Sequence, residues 1–450
     1  MSFLLRSARS AIVAIDARRQ CRVPFLSRER ILDLQLRRAR RMLRHAYDNV
    51  PFYEAAMKRI GITPADFRSI EDLARLPVLD APFVRSNLDD FLPRGLDKQQ
   101  CLVLPSGKGA KTYWDSGVAW RRLAYVERET TAWTKCIGRR FGLRQLHILT
   151  PGASSMLNRQ HWNRTTLVPS WLARKYYFDA IEPYARAAAE LDRVRPHVVF
   201  SAGSYMDHFF RFLQHDGGRP HLPSVWYYGG DMPAPGCRER IEKLYGCKTY
   251  SAYAATEVGR VGFECELGCG FHINEDLMAV RVVDAAGAEV ADGETGEIVV
   301  SCLYNPATVL LNYRLGDLGA VTREQCRCGR NFARILAFEG RKSEVIELAD
   351  GRTVPVAAFL GRFDEDVQGA LKVRVLAGGM GRVRWQLMAG AATDRQRIRS
   401  RIVDKCRVVF GELLQAEVEF VDDLPMQASG KFPLVITSGG DADDGAGAPR

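Results

Sequence analysis

Residues 225–259 read VWYYGGDMPAPGCRERIEKLYGCKTYSAYAATEVG. Two β-rich runs in this stretch, 225–228 and 249–253, lie on either side of a segment that is long enough for one helix. Two earlier runs, 146–149 and 197–200, are also followed by helix-sized segments. Strands that alternate with helices favour a layered α/β fold with parallel neighbouring strands. The spacing therefore predicts an α/β domain around this stretch.

The strand pattern changes further along the chain. The β-rich runs 278–284 and 297–303 are separated by a gap that contains the turn residues 284–287 and 292–296. Short gaps with Asp and Gly are typical of antiparallel hairpins. We therefore expect a β subdomain beside the α/β layers.

A third pattern begins after Gly340. Alternating apolar residues at 373–375 and 383–387 predict two strands, apolar residues at helical spacing over 398–413 predict a helix, and a strand follows at 418–420. This β-β-α-β order is typical of a small α+β domain. The fold class predicted for the whole chain is α/β, with a large domain and a small mobile C-terminal one.

These patterns give the expected domain boundaries. Residues 1–340 are predicted to form the large nucleotide- and acid-binding domain, and residues 341–437 the small C-terminal lid. Residues 438–450 are rich in Gly, Asp and Ala, a composition that predicts disorder.

Two helix signals are strong enough to test. Between residues 32 and 46, apolar residues recur every three or four positions, which predicts an amphipathic helix, and Pro51 is expected to end that helix. In the C-terminal block, Thr393 with Gln396 resembles a capping box before the helix. The early stripe consists of Leu32, Leu36, Ala39, Leu43 and Ala46.

The composition is that of a soluble globular protein. Hydrophobic residues make up 46% of the 450 residues, charged residues make up 26%, and the formal net charge is +11. That charge reflects either an arginine-rich surface or an anionic partner. There is no long basic run and no aromatic–basic platform, so we expect no nucleic-acid partner. The oligomeric state is left open.

The eleven cysteines are too sparse for the disulfide framework of a small secreted domain, so we expect reduced thiols. The apolar run 11–15 near the start is too short for a signal-peptide core or a membrane span, and an amphipathic packing helix is the preferred interpretation. We therefore expect a cytoplasmic protein with no membrane association.

Cysteine and histidine form the strongest local signal. Cys265 and His272 lie within eight residues, and Cys326 and Cys328 form a C-x-C farther on. Zinc prefers four such ligands in a tetrahedron, supplied as two close pairs from two loops. The pattern predicts a structural zinc site, with Cys269 as a possible alternative ligand. The other interpretation is five unrelated thiols.

Two short motifs carry polar groups suited to a nucleotide. In the motif 253–257, an aromatic ring, a hydroxyl and a carboxylate follow a β-rich run, and they suit a base, a phosphate and magnesium. In the motif 313–317, Asp317 follows a glycine turn and is able to accept hydrogen bonds from ribose hydroxyls. Each motif alone is weak.

Their order resembles the adenylate-forming (AMP-binding) superfamily, in particular the phenylacetate–CoA ligase-like branch that includes capsular-polysaccharide-associated homologues. The resemblance covers roughly residues 27–436 and is most specific after about residue 225. It is carried by RRMLRHAYDNVPFYEAAMKRIGI, RPHVVFSAGSYMDHFFRFL, GGDMPAPG, YAATEVG, NEDLMAVRVVD, DGETGEIVVSCL, YRLGDLG, CRCGR and EGR.

The resemblance implies an ATP-dependent acid–thiol ligase that uses Mg²⁺ and coenzyme A. It implies catalytic roles for Thr256, Glu257 and Lys431, with Glu257 helping to hold magnesium. Tyr227 and Tyr228 would lie at the acid pocket, and Ser343 would be the hinge. The implied ATP and AMP contacts are Ser106, Gly107, Lys108, Gly109, Lys111, Gly229, Gly230, Asp231, Tyr253, Ala254, Thr256, Asp317 and Arg341.

The phosphate loop departs from the family pattern. Residues 106–112 read SGKGAKT, where the family has a stretch like SGSTGKP. The Ser/Thr pair is missing, although glycines and two lysines remain to bind phosphates through backbone amides and charge. The hinge position, which is usually Asp or Lys, is Ser343.

Three hypotheses follow. The first is a ligase that forms an acyl-AMP from a small carboxylic acid, either an aryl or an acyl acid, and transfers the acyl group to coenzyme A. The second keeps the fold but passes the acyl group to an amine, a hydroxyl or a carrier protein. The third, motivated by the altered phosphate loop, is a non-catalytic nucleotide-binding homologue.

Overall fold

A computed structural model describes residues 2–106, 111–168, 170–341, 345–390, 393–426 and 432–437. The helices, in chain order, are α1 Phe3–Gln20, α2 Arg28–Asn49, α3 Pro51–Arg59, α4 Ala81–Ser86, α5 Ser116–Ile137, α6 Ser154–Thr165, α7 Tyr184–Val194, α8 Gly203–Asp216, α9 Cys237–Tyr245, α10 Val356–Gly361 and α11 Arg395–Phe410.

The strands follow the same order. They are β1 Cys101–Pro105, β2 Lys111–Asp115, β3 Leu143–Leu149, β4 Ala173–Asp179, β5 Val198–Ser201, β6 Val225–Gly229, β7 Lys248–Ala255, β8 Gly259–Glu264, β9 Phe271–Ile273, β10 Met278–Val283, β11 Thr295–Cys302, β12 Tyr313–Thr322, β13 Arg334–Arg341, β14 Val345–Glu347, β15 Thr353–Pro355, β16 Ala370–Ala377, β17 Arg382–Ala389, β18 Gln415–Phe420 and β19 Val435–Thr437.

The chain divides into two compact units. The first contains Met1–Gly142, Ser154–Ala173 and Tyr250–Phe338. The second contains Leu143–Ala153, Arg174–Thr249 and Glu339–Arg450. The predicted boundary at residue 340 stays a prediction, and the predicted tail 438–450 lies outside the described residues.

In the first unit, the strand order is β10-β11-β12-β13-β9-β8-β7, with a separate β1–β2 hairpin. The predicted antiparallel hairpin is confirmed, because Met278 of β10 pairs with Cys302 of β11 and Val283 pairs with Glu297. The main core of this unit lies between these strands and the helices α2 and α3, and it contains Leu43, Tyr53 and many other apolar side chains.

In the second unit, β6, β5, β3 and β4 are neighbours in that order. β3 is parallel to β5, and β5 is parallel to β6, which confirms the parallel α/β prediction. The C-terminal part of this unit has the sheet β18-β17-β16-β19 with α11. The predicted β-β-α-β order is therefore also confirmed.

Two helix details differ from the sequence predictions. α2 ends at Asn49, before Pro51 as predicted, but Leu32 of the predicted stripe is 38% exposed and Ile31 is buried instead. The N-cap of α11 is Asp394, whose carboxylate accepts a hydrogen bond from the N–H of Arg397. The predicted capping box at Thr393 is therefore wrong by one residue, because a carboxylate was available at the next position.

Arginine side chains of the N-terminal helices form hydrogen bonds and ion pairs with the turn 274–276. Arg128 of α5 is fully buried and bonds Asp276 at 2.7 and 2.9 Å, Asn274 at 3.0 Å and Gln20 of α1. Arg38 of α2 bonds the same Asp276 carboxylate at 2.8 Å. Helices α2 and α5 are thus attached to one turn by charge-assisted hydrogen bonds, and α1 is attached through Arg128.

Asp276 remains ionised in this setting. Burial alone raises the pKa of Asp276, but the charge of Arg128 outweighs burial and lowers that pKa below its ordinary value. Glu275 bonds Arg28 of α2 at 2.8 Å and also accepts the N–H of Ala333 at 2.8 Å.

Arg128→Leu is expected to lower the free energy of unfolding by about 3–5 kcal/mol, because it leaves a buried carboxylate with one cation fewer. The measurement is urea unfolding. Arg37→Ala is the control, since the Arg37–Asp33 pair is 63% and 57% exposed, and it should cost less than about 1 kcal/mol.

The same variant should change the pH dependence of stability. The lowered pKa of Asp276 contributes stability that is present above the unfolded-state pKa of about 4 and is lost as pH falls through the folded-state pKa. Arg128→Leu should therefore lose less stability than the wild type between neutral and acid pH. An equal loss in both proteins would contradict the role given to this ion pair.

Candidate active site

The predicted phosphate loop is the loop of the β1–β2 hairpin. Pro105 pairs with Lys111 in register, so residues 106–110 connect the two strands. Ser106 and Lys111 are described and stand at the two ends of this loop, with Lys111 exposed. Gly107, Lys108 and Gly109, which the resemblance assigns to ATP binding, lie outside the described residues.

Ser106 lies against the motif that follows β7. Its hydroxyl donates a hydrogen bond to Glu257 Oε1 at 2.5 Å. Ser154, at the start of α6, donates to the carbonyl oxygen of Pro105 and accepts a hydrogen bond from the Thr256 hydroxyl at 3.4 Å. Ser106, the first residue of the loop, and the predicted catalytic pair therefore come together, and Ser154 joins them although no sequence motif singled it out.

Glu257 is buried, with 6% of its surface exposed. Tyr313 lies close to it: burial raises the pKa of the Tyr313 phenol, and the negative charge of Glu257 raises it further. The phenol therefore remains protonated at neutral pH. Hydroxyl groups on two sides orient the Glu257 carboxylate, which is the kind of group that holds a hard cation such as Mg²⁺.

Tyr253 and Asp317 are brought together from different strands. The Tyr253 hydroxyl on β7 donates to Asp317 Oδ2 on β12 at 2.5 Å, and both residues are half-buried. The aromatic ring that the resemblance assigns to adenine thus lies beside the carboxylate that it assigns to ribose. Sequence spacing did not predict this contact.

A bulge in β12 sets the position of Asp317. The pairing of β11 with β12 shifts between Glu297 and Val299, so that residues 315–317 stand opposite a single residue. Gly316 has φ 78°, in the left-handed region that favours glycine. Bulges re-aim side chains next to functional sites, and this one places Asp317 against Tyr253.

The predicted residues 229–231 lie in the second unit, directly after β6. Gly229 is the last residue of β6, and Gly230 has φ 95°. The Asp231 carboxylate accepts the N–H of Ser204 at 3.0 Å and its hydroxyl at 2.6 Å, at the first turn of α8. Asp231 thereby satisfies a backbone donor at a helix start that lacks its own side-chain cap.

The two tyrosines predicted for the acid pocket lie on opposite faces of β6, as consecutive strand residues do. Tyr228 lies on the same face of β6 as Trp226, and both rings belong to the hydrophobic core of this unit. The ring of Tyr227 lies 5.6 Å from the ring of Phe200, which in turn stacks on His147 at 4.5 Å. Only Tyr227 therefore shares a surface with this aromatic row.

The remaining predicted residues are placed as follows. Ala254 is an exposed residue of β7, and Arg341 is the last residue of β13. Ser343, the predicted hinge, and Lys431, the predicted catalytic lysine, lie outside the described residues. The roles of all these residues stay predictions.

The four predicted zinc ligands lie together in the first unit. The ligand atoms of Cys265, His272, Cys326 and Cys328 are all within 4.8 Å of one another. The sulfurs of Cys265 and Cys326 are 4.0 Å apart, and Cys328 Sγ is 3.4 Å from His272 Nε2. A tetrahedral zinc with Zn–S bonds of about 2.3 Å separates its sulfurs by roughly 3.8 Å. The donor set and its spacing therefore fit zinc.

The surroundings favour a thiolate at Cys328, whereas the pKa of Cys265 is raised by its hydrogen bond with Cys328 and that of Cys326 is raised by burial. The hydrogen bond from Cys265 lowers the pKa of Cys328, burial opposes this shift, and His272 lowers the pKa further. Zinc binds the thiolate form of cysteine. Cys269, the predicted alternative, is outside the group, and its thiol hydrogen-bonds the carbonyl of Leu267 at 3.4 Å.

An ion pair joins the two loops that supply these ligands. Arg330 is fully buried and bonds Glu266 at 2.7 Å. Glu266 follows Cys265 directly, and Arg330 follows Cys328 by two residues. All eleven cysteines are free, as predicted. Among the described residues, no helix has the length and apolar character required to span a bilayer.

No family model matches the chain. The chain is 26% identical over 338 residues to a phenylacetate–coenzyme A ligase of Thermus thermophilus, covering 71% of this chain and 72% of that protein. It is also 26% identical over 340 residues to a phenylacetate–coenzyme A ligase of Aromatoleum evansii, with 71% and 72% covered. These relatives confirm the resemblance to the phenylacetate–CoA ligase-like branch.

Solved structures confirm the fold. A 2-hydroxyisobutyryl-CoA ligase in the post-adenylation state, bound to its acyl-AMP, matches with a TM-score of 0.73 and 19% identity, covering 92% of this chain and 91% of that one. The same ligase has also been solved in an open conformation and in a thioesterification state.

Proposed function

We propose that this chain, a member of the phenylacetate–CoA ligase-like branch of the adenylate-forming enzymes, activates a carboxylic acid as an acyl-AMP and then forms its coenzyme A thioester. One observation carries the proposal. Ser106, at the start of the phosphate loop, bonds Glu257, which is next to Thr256, and the Tyr253–Asp317 pair lies in the same unit, with Tyr253 on the strand that Thr256 follows. A nucleotide requires polar groups of this kind.

In the first half-reaction, a carboxylate oxygen of the acid attacks the α-phosphorus of ATP. The new O–P bond forms as the bond to the β-phosphate breaks, and pyrophosphate leaves. Tyr253 flanks the adenine, Asp317 accepts hydrogen bonds from the ribose hydroxyls, and Thr256 donates to an α-phosphate oxygen. These contacts position the reactants, and positioning accounts for much of the catalysis in such reactions.

Three cations offset the negative charge of the phosphates. Mg²⁺, when bound, neutralises the phosphates, and Glu257 is the carboxylate suited to hold it. Lys111, at the end of the loop, and Lys431 contribute positive charge from this chain. Lys431 acts on the negative charge that develops at the α-phosphate, where a fixed cation stabilises the transition state more than the ground state.

In the second half-reaction, the sulfur of coenzyme A attacks the acyl carbon. The C–S bond forms, the C–O bond to AMP breaks, and the thiol proton passes to solvent. The related ligase that is known in post-adenylation and thioesterification states supports two arrangements of the C-terminal segment. Ser343 lies in the sequence where the hinge between them is expected.

The acid is a small molecule, and an aromatic acid fits the observations. Tyr227, Phe200 and His147 form a row of rings on one face of β6, β5 and β3. Tyr177 of β4 stacks on His147 at 5.4 Å and is 38% exposed, so the row reaches the surface of its unit. Flat rings bind an aryl group by stacking.

A zinc ion would be held by Cys265, His272, Cys326 and Cys328 and would be structural. Four protein ligands leave no open position for a substrate, which is the arrangement of structural rather than catalytic zinc. The site would fasten β9 to the loop after β12, the strand that carries Asp317.

The wild-type protein is expected to release pyrophosphate from Mg²⁺–ATP only when an acid is present, and aryl acids should be the best of a panel. Glu257→Gln should abolish most of this release without unfolding the chain, because the carboxylate serves the cation rather than packing. The measurements are pyrophosphate release and thermal unfolding.

Glu264→Gln is the matched control for this variant. Glu264 is also buried, but it accepts the N–H of Ser251 at 2.8 Å. Its loss should lower stability and leave turnover per folded molecule intact. Normal turnover by Glu257→Gln would refute the nucleotide assignment, and the absence of acid-dependent release in the wild type would refute the proposed reaction.

Purified protein is expected to contain about one zinc per chain, in keeping with a single four-ligand site. Cys328→Ser should lose the metal and stability together, since a structural site contributes folding free energy. Cys269→Ser should retain both. Metal analysis and thermal unfolding decide the matter, and a metal-free protein of equal stability would contradict the zinc proposal.

Lys431→Ala should slow acyl-AMP formation by about 10²–10³-fold, the loss typical of one fixed electrostatic group. Transfer from chemically made acyl-AMP to coenzyme A should be much less affected. Lys58→Ala, which removes an exposed lysine paired with Glu54, is the control. An equal loss in both half-reactions would show that Lys431 is not the adenylation lysine.

A further inference from the structure

Helices α8 and α9 place one buried and one half-buried arginine around one carboxylate. Asp207 of α8 accepts a hydrogen bond from Arg211 Nε at 3.0 Å and from Arg240 of α9 at 2.8 Å. Burial alone raises the pKa of Asp207, but Arg211 and Arg240 outweigh burial and lower it. One carboxylate facing two guanidinium groups leaves a surplus positive charge in a buried place.

Asp364 of the C-terminal segment balances that charge. Both of its carboxylate oxygens lie 3.1 Å from Arg240 Nη1, and one lies 3.5 Å from Arg211 Nη2. The same carboxylate lies close to Gly236, the N-cap of α9. A Cβ atom added to Gly236 would lie only 2.5 Å from Asp364 Oδ2. The positive end of that helix also favours an anion.

The contact around this network is close-packed. The cavity beside Arg211 and Asp364 has a volume of only about 20 Å³ and is lined by apolar residues of the C-terminal segment, among them Phe363 and Trp385. A space of this size holds at most one water molecule. Asp364 is 20% exposed and Arg211 is 6% exposed, so the ion pair is largely withdrawn from solvent. Separating its partners would leave the two guanidinium groups with the single carboxylate of Asp207.

The same helix also fixes the residue that follows Lys431 in the sequence. The ring of Phe432 packs edge-on against His208 of α8 at 4.6 Å, and its N–H donates to Asp231 Oδ2 at 3.4 Å. Burial lowers the pKa of His208 to about 3, so the ring that Phe432 contacts is uncharged. The segment is thus anchored at Asp364 and at Phe432.

We propose that Asp364 is a positioning residue that latches the C-terminal segment to Arg211 and Arg240 in the arrangement used for acyl-AMP formation. This proposal rests on the proposed function, since Asp231 is the residue that the resemblance assigns to the nucleotide and Lys431 is the predicted adenylation lysine. Transfer to coenzyme A requires the latch to open. Asp364 touches no reacting atom and acts only through the placement of the segment.

Asp364→Asn tests the latch because it keeps the shape of the side chain and removes its charge. Acyl-AMP formation in a single turnover should fall at least about tenfold, which corresponds to about 1.4 kcal/mol in the barrier. Thioester formation from supplied acyl-AMP should stay unchanged or rise. Asp364→Glu, which restores the charge, should recover most of the adenylation rate.

Asp366→Asn is the matched control. Asp366 lies two residues farther on and is buried, but its partners Arg401 and Lys405, at 3.1 and 2.7 Å, belong to α11 of the same segment. Its loss should lower thermal stability and leave the ratio of the two half-reaction rates unchanged. An equal fall of both rates in Asp364→Asn, or the same altered ratio in Asp366→Asn, would overturn the proposal.

Hydrogen–deuterium exchange of the substrate-free protein gives a readout that does not need activity. Amides of α8 and α10 should exchange several-fold faster in Asp364→Asn than in the wild type, and those of α8 should be unchanged in Asp366→Asn. If hydrogen exchange is unchanged in Asp364→Asn, the latch proposal is overturned, whether or not that variant is active. The absence of acid-dependent pyrophosphate release in the wild type overturns the proposed function instead.

Discussion

The first unit depends on the buried carboxylates of the turn between β9 and β10. Asp276 holds Arg128 and Arg38, and Glu275 holds Arg28, so helices α2 and α5 are fastened to one turn. An unpaired charge in this place would cost several kcal/mol, so the helices and the turn require each other. The turn directly follows β9, which carries one of the cluster ligands. His272, one of the predicted zinc ligands, therefore lies on the strand that leads into this ion-pair network.

Much of the fold was predictable because periodicity reports which face of an element is buried. The parallel and antiparallel strands and the C-terminal β-β-α-β order followed from it. The errors are local: Leu32 is exposed because α2 turns Ile31 and Gln35 inward, where Ile31 packs on Phe263 and Gln35 donates a hydrogen bond to the carbonyl oxygen of Met278. The burial of Arg128 was not predictable, since an arginine in a helix pattern is ordinarily a solvated residue. Its partners are distant in sequence, and pairing is a tertiary property.

In the candidate site, too, some features were predictable from the sequence and others depended on tertiary contacts. The cysteine–histidine cluster was predictable because soft ligands in two close pairs have few other uses. The Ser106–Glu257 and Tyr253–Asp317 contacts join residues 151 and 64 positions apart, and no spacing rule reports such distances. The bulge that positions Asp317 has one signal in the sequence, the glycine of the motif 313–317. The sequence contains no signal for the role of Ser154, because a lone serine at a helix start has many structural roles.

The ion-pair network around Arg128 and the one around Arg211 and Arg240 differ in how many side chains hold each arginine. Arg128 bonds three side chains and is fully buried with Asp276, which is 1% exposed, so removing any one element leaves several donors unsatisfied. In the network of Arg211 and Arg240, Asp207 lies on α8 together with Arg211, and Asp364, 20% exposed, adds a single carboxylate from the C-terminal segment. Its arginines retain an acceptor after that carboxylate leaves. The same physical interaction therefore makes a permanent joint in one unit and a joint that is able to open in the other.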